Sequence, residues 1–489
     1  MTIAEGLGAP IWAMKRKGSR SPMAGVGRVE MTNALGNTSR CYFDHWGRLF
    51  KNENALGEAV HTVFDELGNL VSMTDPEGFN TTFTYDRRGN LVETADAMHR
   101  ITRFTYTNAF NRLASVADAL RNRTEFSYDS RGNLREKIHP DGGRESWTHD
   151  AAGNPASWTN CRGAVVAYQY DAAGRVIRKD FADGYAAIYR YDARGNLEET
   201  EDARGKTTFS YNEHDYLVRV DYPGGRWLQF EYDGAGRRIS SEDQLGYTVA
   251  YYYDDVGRLA RLSGPAGDIV AYDYDPLGRL AQKTVGSGVY TTYAYDAAGR
   301  PLEMFNHAPD GGVLSSFAYT YDRRGRRTAM ETHYGNWTYR YDDAGQLIQA
   351  VLASSDPEIP DQDITCDYDA LGNRVRTVIN GIEEAYSINN LNQYTRVGDR
   401  TYTYDLDGNL IREEGPDGST VYTYNAENRL TGVTRGGDTW DYFYDALGNR
   451  VGVEENGAVI HHVHDPVGLG NLVGEYDETG SLLVRFTHG

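Results

Sequence analysis

The chain has 489 residues, an excess of 20 acidic over basic side chains and only 40% hydrophobic residues, yet it carries 37 tyrosines. The acidic balance argues against a nucleic-acid or anionic-membrane partner, which would call for a basic footprint. No stretch is long and apolar enough to span a bilayer, and three cysteines without metal or redox spacing exclude a disulfide framework.

Residues 1–27 hold a basic run, Lys15, Arg16 and Lys17, but no apolar core of a secretory leader. They are expected to be an irregular N-terminal segment, either a cut into a longer protein or the start of a chain exported without such a leader. From residue 28 to 489 one unit repeats about every 21 residues, and a periodicity of that length outranks any local motif.

The unit is clearest at 81–102. Thr81 to Tyr85 read as a strand of Thr and aromatic residues. Asp86-Arg-Arg-Gly89 reads as a turn, in which Asp bonds downstream amides and Gly supplies a positive φ. Asn90 to Val92 begin the return strand, Asp96 to Arg100 form a second, looser turn, and Ile101 starts the next unit. Each unit thus supplies two short strands and two reversals of a continuing meander.

The core returns at Tyr128, Asp129 and Gly132, at Tyr170, Asp171 and Gly174, and at Tyr191, Asp192 and Gly195. It returns again at Tyr232, Asp233 and Gly236, at Tyr253, Asp254 and Gly257, and at Tyr274, Asp275 and Gly278. Late copies are Tyr404, Asp405 and Gly408, then Tyr444, Asp445 and Gly448, with further copies at Tyr295, Tyr321, Tyr341 and Tyr368. In the turns Asp171–Gly174, Asp192–Gly195, Asp233–Gly236, Asp275–Gly278, Asp296–Gly299, Asp405–Gly408 and Asp445–Gly448 the next residue is Arg or Asn. Second turns recur as Asp75–Gly78, Asp202–Gly205 and Asp243–Gly246. Together these residues are expected to be a structural ladder, with rings side by side from one repeat to the next and hydroxyls left in water. Cys41 and Cys366, two residues before a repeat aromatic, read as small buried hydrophobes. Two spacings are long. His307–Gly312 is inserted before Tyr321 and an acidic stretch, 354–363, before Tyr368, and both are expected to form loops.

The run Tyr-Asp-x-x-Gly-Asn/Arg-Leu, in this number and register, resembles the Rhs/YD-repeat family. That family includes bacterial Rhs polymorphic toxins, the C component of insecticidal toxin complexes, wall-associated proteins and animal teneurins. The resemblance implies an all-β fold, a long meander of hairpins spiralling into a hollow shell, here partial and uncapped. It implies a structural role, enclosing or presenting a C-terminal effector that this chain lacks. Its partners would be the encapsulated toxin polypeptide and delivery-system or immunity proteins, and the location secreted or cell-surface. Residues 470–489 look like the family's last repeat. Asp465-Pro466-Val467-Gly468-Leu469 resembles the Asp-Pro-x-Gly element of Rhs self-cleavage, but Asp275-Pro276-Leu277-Gly278 offers the same pattern in mid-array, so an ordinary turn is the preferred reading.

His461, His462 and His464 form a dense cluster, with His462 and His464 in the slots that Tyr442 and Tyr444 fill one repeat earlier. His462 and His464 share one strand face, which metal binding could use, but they read as ladder substitutes, and the turn aspartates lack EF-hand spacing. No nucleophile, metalloprotease or phosphate-loop motif is present, so the chain is read as non-enzymatic and without cofactor. The alternative is a cell-surface carbohydrate-binding or adhesion module with a glycan partner. The architectural rival, a β-propeller, would need more blades than that fold commonly has.

Overall fold

The computed structural model describes residues 13–14, 27–468 and 470–488. Apart from Ala13–Met14, a two-residue strand paired with Thr32 and Met31, the N-terminal segment 1–26 lies outside the described residues. The array opens with the strand Gly27–Thr32. Every regular element among the described residues is a strand, and none is a helix.

The chain forms two compact units, each assembled from separated stretches: 1–105, 117–121 and 269–384 in the first, and 106–116, 122–268 and 385–489 in the second. The same rule builds both. Each strand pairs antiparallel with the next in sequence, as in the run from Gly27–Thr32 through Asn80–Tyr85 in the first unit. In the second, the run from Arg123–Tyr128 to Leu259–Gly264 does the same. These unbroken runs exceed the four strands of a propeller blade.

One hairpin explains the rest. Strand Asn80–Tyr85 pairs with Leu91–Ala95, and the register slips between Thr84 and Tyr85, so that Tyr85 faces Leu91. The same slip precedes Tyr128, Tyr170, Tyr191, Tyr232, Tyr253 and Tyr274. A bulge of this kind increases local twist and re-aims the side chain that follows it. Between the strands, Asp86 N donates to the Asn90 carbonyl and Gly89 N to the Asp86 carbonyl, a type I turn ending in a left-handed residue. Gly89 takes that conformation at φ 81°.

The second turn is not looser. Asp96 N donates to the Arg100 carbonyl and His99 N to the Asp96 carbonyl, the same five-residue closure, with His99 at φ 59° in the glycine position. Elsewhere the second turn is tighter still. Asp202 pairs directly with Gly205, and Glu455 with Ala458 across Asn456-Gly457. Asn-Gly is the dipeptide a two-residue hairpin favours, because both of its residues accept positive φ. The insertion at 307–312 also differs from expectation. It lengthens the flanking strands, Pro301–His307 and Val313–Tyr321, and leaves an ordinary turn closed by Ala308 N to the Gly312 carbonyl.

Full burial is uncommon. Among the described residues the large side chains taken wholly out of water are Phe230, Leu262, Val166, Val220, Val463 and Asn160. The main cluster, in the second unit, gathers Phe209, Val220, Leu228 and Phe230 with Val463 and Tyr476. Cys366 is buried, whereas Cys41 is only partly covered and points its thiol at Asn52 Oδ1, 3.5 Å away.

Placing Cβ atoms at the left-handed position separates glycine's role from its neighbours' roles. Gly89→Ala should lower stability by about 1–2 kcal/mol, although a Cβ there would meet only Asn69 Oδ1, at 3.9 Å. His99→Gly should cause no loss. Urea midpoints of the two variants against the parent chain check both expectations.

Candidate functional site

The repeating site is the Tyr-Asp turn. Asp86 Oδ1 accepts the amides of Arg88 and Asn90 at 2.8 and 2.9 Å, and its Oδ2 accepts Asn90 Nδ2 at 2.8 Å. Asp129 and Asp192 are held in the same way by Asn133 and Asn196, Asp405 by Asn409 and Asp445 by Asn449. Where Arg follows the glycine, its Nε replaces the amide: Arg175 on Asp171 at 2.7 Å, Arg237 on Asp233 at 2.8 Å, Arg258 on Asp254 and Arg279 on Asp275 at 2.6 Å. The Asn90 side chain is the largest influence holding the Asp86 carboxyl below its usual range, and the Arg237 guanidinium does the same for Asp233.

The arginine does a second job. Its guanidinium lies over the aromatic ring of the next repeat: Arg175 over Tyr191 at 4.4 Å, Arg237 over Tyr253 at 4.6 Å and Arg279 over Tyr295 at 4.3 Å. That tyrosine's hydroxyl donates back to the first strand carbonyl after the preceding turn. Tyr128 reaches the Leu113 carbonyl, Tyr170 that of Pro155, Tyr232 that of Leu217 and Tyr444 that of Leu430, all at 2.8 Å. Tyr191, Tyr253 and Tyr404 repeat the bond on Val176, Arg238 and Tyr394. Tyr85 and Tyr274 occupy the same slot, facing Leu91 and Leu280.

Two expectations are corrected here. These hydroxyls are not left in water. They occupy a carbonyl at the end where the neighbouring ladder has stopped: Pro155–Thr159 pairs with the following strand only over Ser157, Trp158 and Thr159, and Tyr170 takes the Pro155 carbonyl. Nor do successive rings stack. Consecutive tyrosines lie two strands apart, about 9.5 Å, and leucine and arginine fill the gap.

The two units also contain seams, where stretches far apart in sequence meet turn to turn. In the first unit Arg324 Nε reaches Asp75 Oδ2 at 2.8 Å, Arg326 Nη2 reaches Glu77 Oε2 at 2.6 Å and Arg100 Nη1 reaches Gln346 Oε1 at 2.6 Å. In the second, Arg162 crosses to two first turns, those beginning at Asp405 and Asn425. Its Nε meets Asp407 Oδ2 at 2.5 Å, and its Nη2 donates to the Asn425 carbonyl at 2.6 Å and to Asn428 Oδ1 at 2.9 Å. Cys161 N takes Asp407 Oδ1 at 2.6 Å, and buried Asn160 donates to the Ala426 carbonyl at 3.2 Å. Asp407 is 2% exposed, so its charge depends on these partners. The sequence reading missed Arg162 and Asn160. The signal was there, since both sit in a second turn, 160–163, where other repeats begin with Asp.

The C-terminal stretch joins the same unit. Asp465 forms a two-pronged pair with Arg238 and accepts Val467 N at 2.9 Å, the bond that Asp275 makes to Leu277 N at 2.8 Å. The turn itself is longer than the ordinary repeat turn that the sequence favours: His464 pairs with Leu472, eight residues on, where Tyr85 pairs with Leu91, six on. Leu469 lies outside the described residues. His464 Nε2 meets the Arg450 carbonyl at 2.9 Å, as Tyr444 meets that of Leu430. His488 repeats this on the Leu472 carbonyl at 2.7 Å. Burial is the main cause holding His461 and His462 below the usual histidine range. His139, Glu145 and Cys161 also converge, with donor atoms within 4.8 Å of one another. There Glu145 already accepts His139 Nε2 at 2.8 Å and Trp158 Nε1 at 3.0 Å, and burial pushes the Cys161 thiol up to about 11.

A family profile described as the teneurin YD-shell matches residues 157–337 and 320–462, which together cover more than half of the chain. The chain belongs to the teneurin YD-shell family. The RHS repeat profile matches residues 64–97 and 108–144 of the same YD array. Among solved structures, the Tc holotoxin pore of Photorhabdus luminescens is similar at a TM-score of 0.66 and 15% identity, over 94% of this chain and 32% of that one. The TcdB2-TccC3 structure matches at 0.63 and 15%, covering 93% and 32%, and TcdB2-TccC3 without its hypervariable C-terminal region at 0.62 and 14%, covering 94% and 34%. The YD array thus spans about a third of the length of these structures, and at such identity the likeness is one of fold. No curated protein matches the chain significantly.

Two predictions follow from these contacts. Removing the guanidinium in Arg162→Ala leaves Asp407 buried and unpaired, and should cost on the order of 3–5 kcal/mol, read as a fall in the urea midpoint of the second unit. The pH dependence has two parts. His461 and His462 have depressed folded pKa values, so the unfolded chain binds more protons as pH drops below about 6.5, and stability declines there. The turn aspartates are also depressed, so their contribution is fully present above about pH 4 and is lost as pH falls further. Asp445 opposes them: burial, with Asp202 nearby, raises its carboxyl, and its protonation favours the fold. Midpoints at pH 7, 5.5, 4 and 3 should fall in two steps, with the first absent when both histidines are replaced by Asn.

Proposed function

We propose that the chain is the wall of a hollow YD shell that encloses a C-terminal effector polypeptide, itself outside this sequence. The observation that supports this most is the seam. Hydrogen bonds in the first unit join residues 242, 246 and 249 positions apart, and several in the second join residues 242–248 apart. A ribbon of hairpins whose turns bond to the ribbon one such interval later closes its own gaps. The result is a wall one sheet thick, with little of its surface committed to a solid core. The likeness to the Tc holotoxin structures supports the same reading. On this reading the chain works by containment, without a catalytic step, in a secreted or cell-surface protein.

The glycan-binding alternative needs free ring faces. The ladder tyrosines offer few, because arginines cover their faces and backbone carbonyls hold their hydroxyls.

The test is protection. A protease-sensitive peptide is joined to the C-terminus of the full chain and of its Arg162→Ala variant, and trypsin digestion is followed by mass spectrometry. The peptide should outlast its free form on the parent chain and lose that advantage when the seam is broken. Equal digestion in all three settings, together with a small-angle scattering profile of a solid particle, would remove the containment reading.

A further inference from the structure

Most arginines of the second unit that lie near its seam are matched to a carboxylate: Arg162 to Asp407, Arg238 to Asp465, Arg485 to Asp243. Arg204 and Arg226 are not. Neither has an ion pair among the described residues, and both line one cleft of about 300 Å³. Arg204 belongs to the tight turn between Asp202 and Gly205 and is exposed as a residue; its guanidinium lies over the Phe443 ring at 3.9 Å and makes no side-chain hydrogen bond among the described residues. Arg226 spends one N–H on the Pro223 carbonyl at 3.0 Å. Burial lowers the pKa of both, and the charge of Asp202 offsets this only in part at Arg204. His461 lines the same cleft, and after burial the charges of Arg226 and Arg204 are the next causes that lower it.

None of the three carboxylates in the lining is ion-paired with either guanidinium among the described residues, although the charge of Asp202 acts on Arg204. Asp202 gives Oδ1 to the Arg204 amide and Oδ2 to Ala446 N, both at 2.8 Å. Asp445 is closed on its own turn through Asn449. Glu478 is exposed at the mouth, beside Thr479. Two guanidiniums in a shared, partly dry cleft match the oxygens of a tetrahedral oxyanion, because a planar fork can donate two parallel bonds to one such group.

We propose that this cleft is an oxyanion-binding site that takes a phosphate group, free or esterified, between Arg204 and Arg226. His461 and Thr479 line the remaining walls. The site lies beside the seam, on residues drawn from two of the three stretches that build the second unit, 122–268 and 385–489, so occupancy ties those two together and stabilises the unit in proportion to ligand.

Isothermal titration of the full chain with inorganic phosphate, phenyl phosphate and succinate tests it, with sodium chloride at matched ionic strength as the control. Saturable binding of phosphate is expected, with a rise in melting temperature. Arg226→Gln and Arg204→Gln should each weaken binding about tenfold or more, and the pair should abolish it. Tighter binding of phenyl phosphate than of phosphate would assign the site to esters, and the reverse to the free ion. A response reproduced by chloride, or by succinate alone, or unchanged in the double variant, would overturn the proposal. Melting curves of the variants without ligand are recorded first, and Thr479→Ala, at an exposed turn, gives a milder version of the same loss should an arginine variant fail to fold.

Discussion

The structure rests on a short loop of bonds around one carboxylate. The aspartate after each ladder tyrosine ties the amides two and four residues on, then reaches the side chain at that fourth position, as Asp86 does with Asn90 and Asp171 with Arg175. This closes the turn and also aims the arginine across the next strand pair, so that local and inter-repeat order share a cause. With Arg175 fixed by Asp171, the Tyr191 ring has a flat cation on its face and a carbonyl for its hydroxyl. A repeat without this loop would leave its neighbour's ring with nothing to pack on.

Because the connections run from turn to turn, the sheet does not need a thick apolar core. Val220, Phe230 and Val463 form a cluster where stretches of the second unit meet, but fully buried side chains are few, and strands such as Thr38–Phe43 and Val176–Phe181 are only partly covered throughout. Polar bonds do in series what buried apolar area does in a compact domain, each contributing on the order of 1 kcal/mol net. This fits the composition, in which tyrosine outnumbers the other aromatics by 37 to 22 when 15 Phe and 7 Trp are added. A ring with a hydroxyl can serve both the packing and the bond.

Much of this was legible in the sequence because it is local. Tyr-Asp-x-x-Gly states a strand, a capped turn and a left-handed residue within five positions, and the hairpin follows. The second turns were harder. His99 holds a position that glycine holds elsewhere, and nothing in Asp-Ala-Met-His-Arg announces that His99 adopts φ 59°. The expected ring-to-ring ladder failed on distance alone, since the repeat advances two strands at a time. The seam was the least legible. Which turn meets Arg162 depends on the twist accumulated over about a dozen hairpins, and no pattern within 21 residues encodes a partner some 245 residues away. The unpaired Arg204 and Arg226 were hidden likewise, because arginine after a turn looks ordinary until the missing carboxylate is seen.

The bond from each tyrosine to the repeat before it also bears on how such arrays change length over generations. Duplicating one repeat by unequal recombination recreates every bond that the repeat makes with its immediate neighbours, since all of them lie within about 21 residues. The same event moves Arg162 away from Asp407 by one hairpin and sets a different turn against it. Selection on array length therefore acts through contacts that a newly copied segment does not itself contain. Lineages should keep repeat number between seam partners far more constant than the sequence of any single repeat.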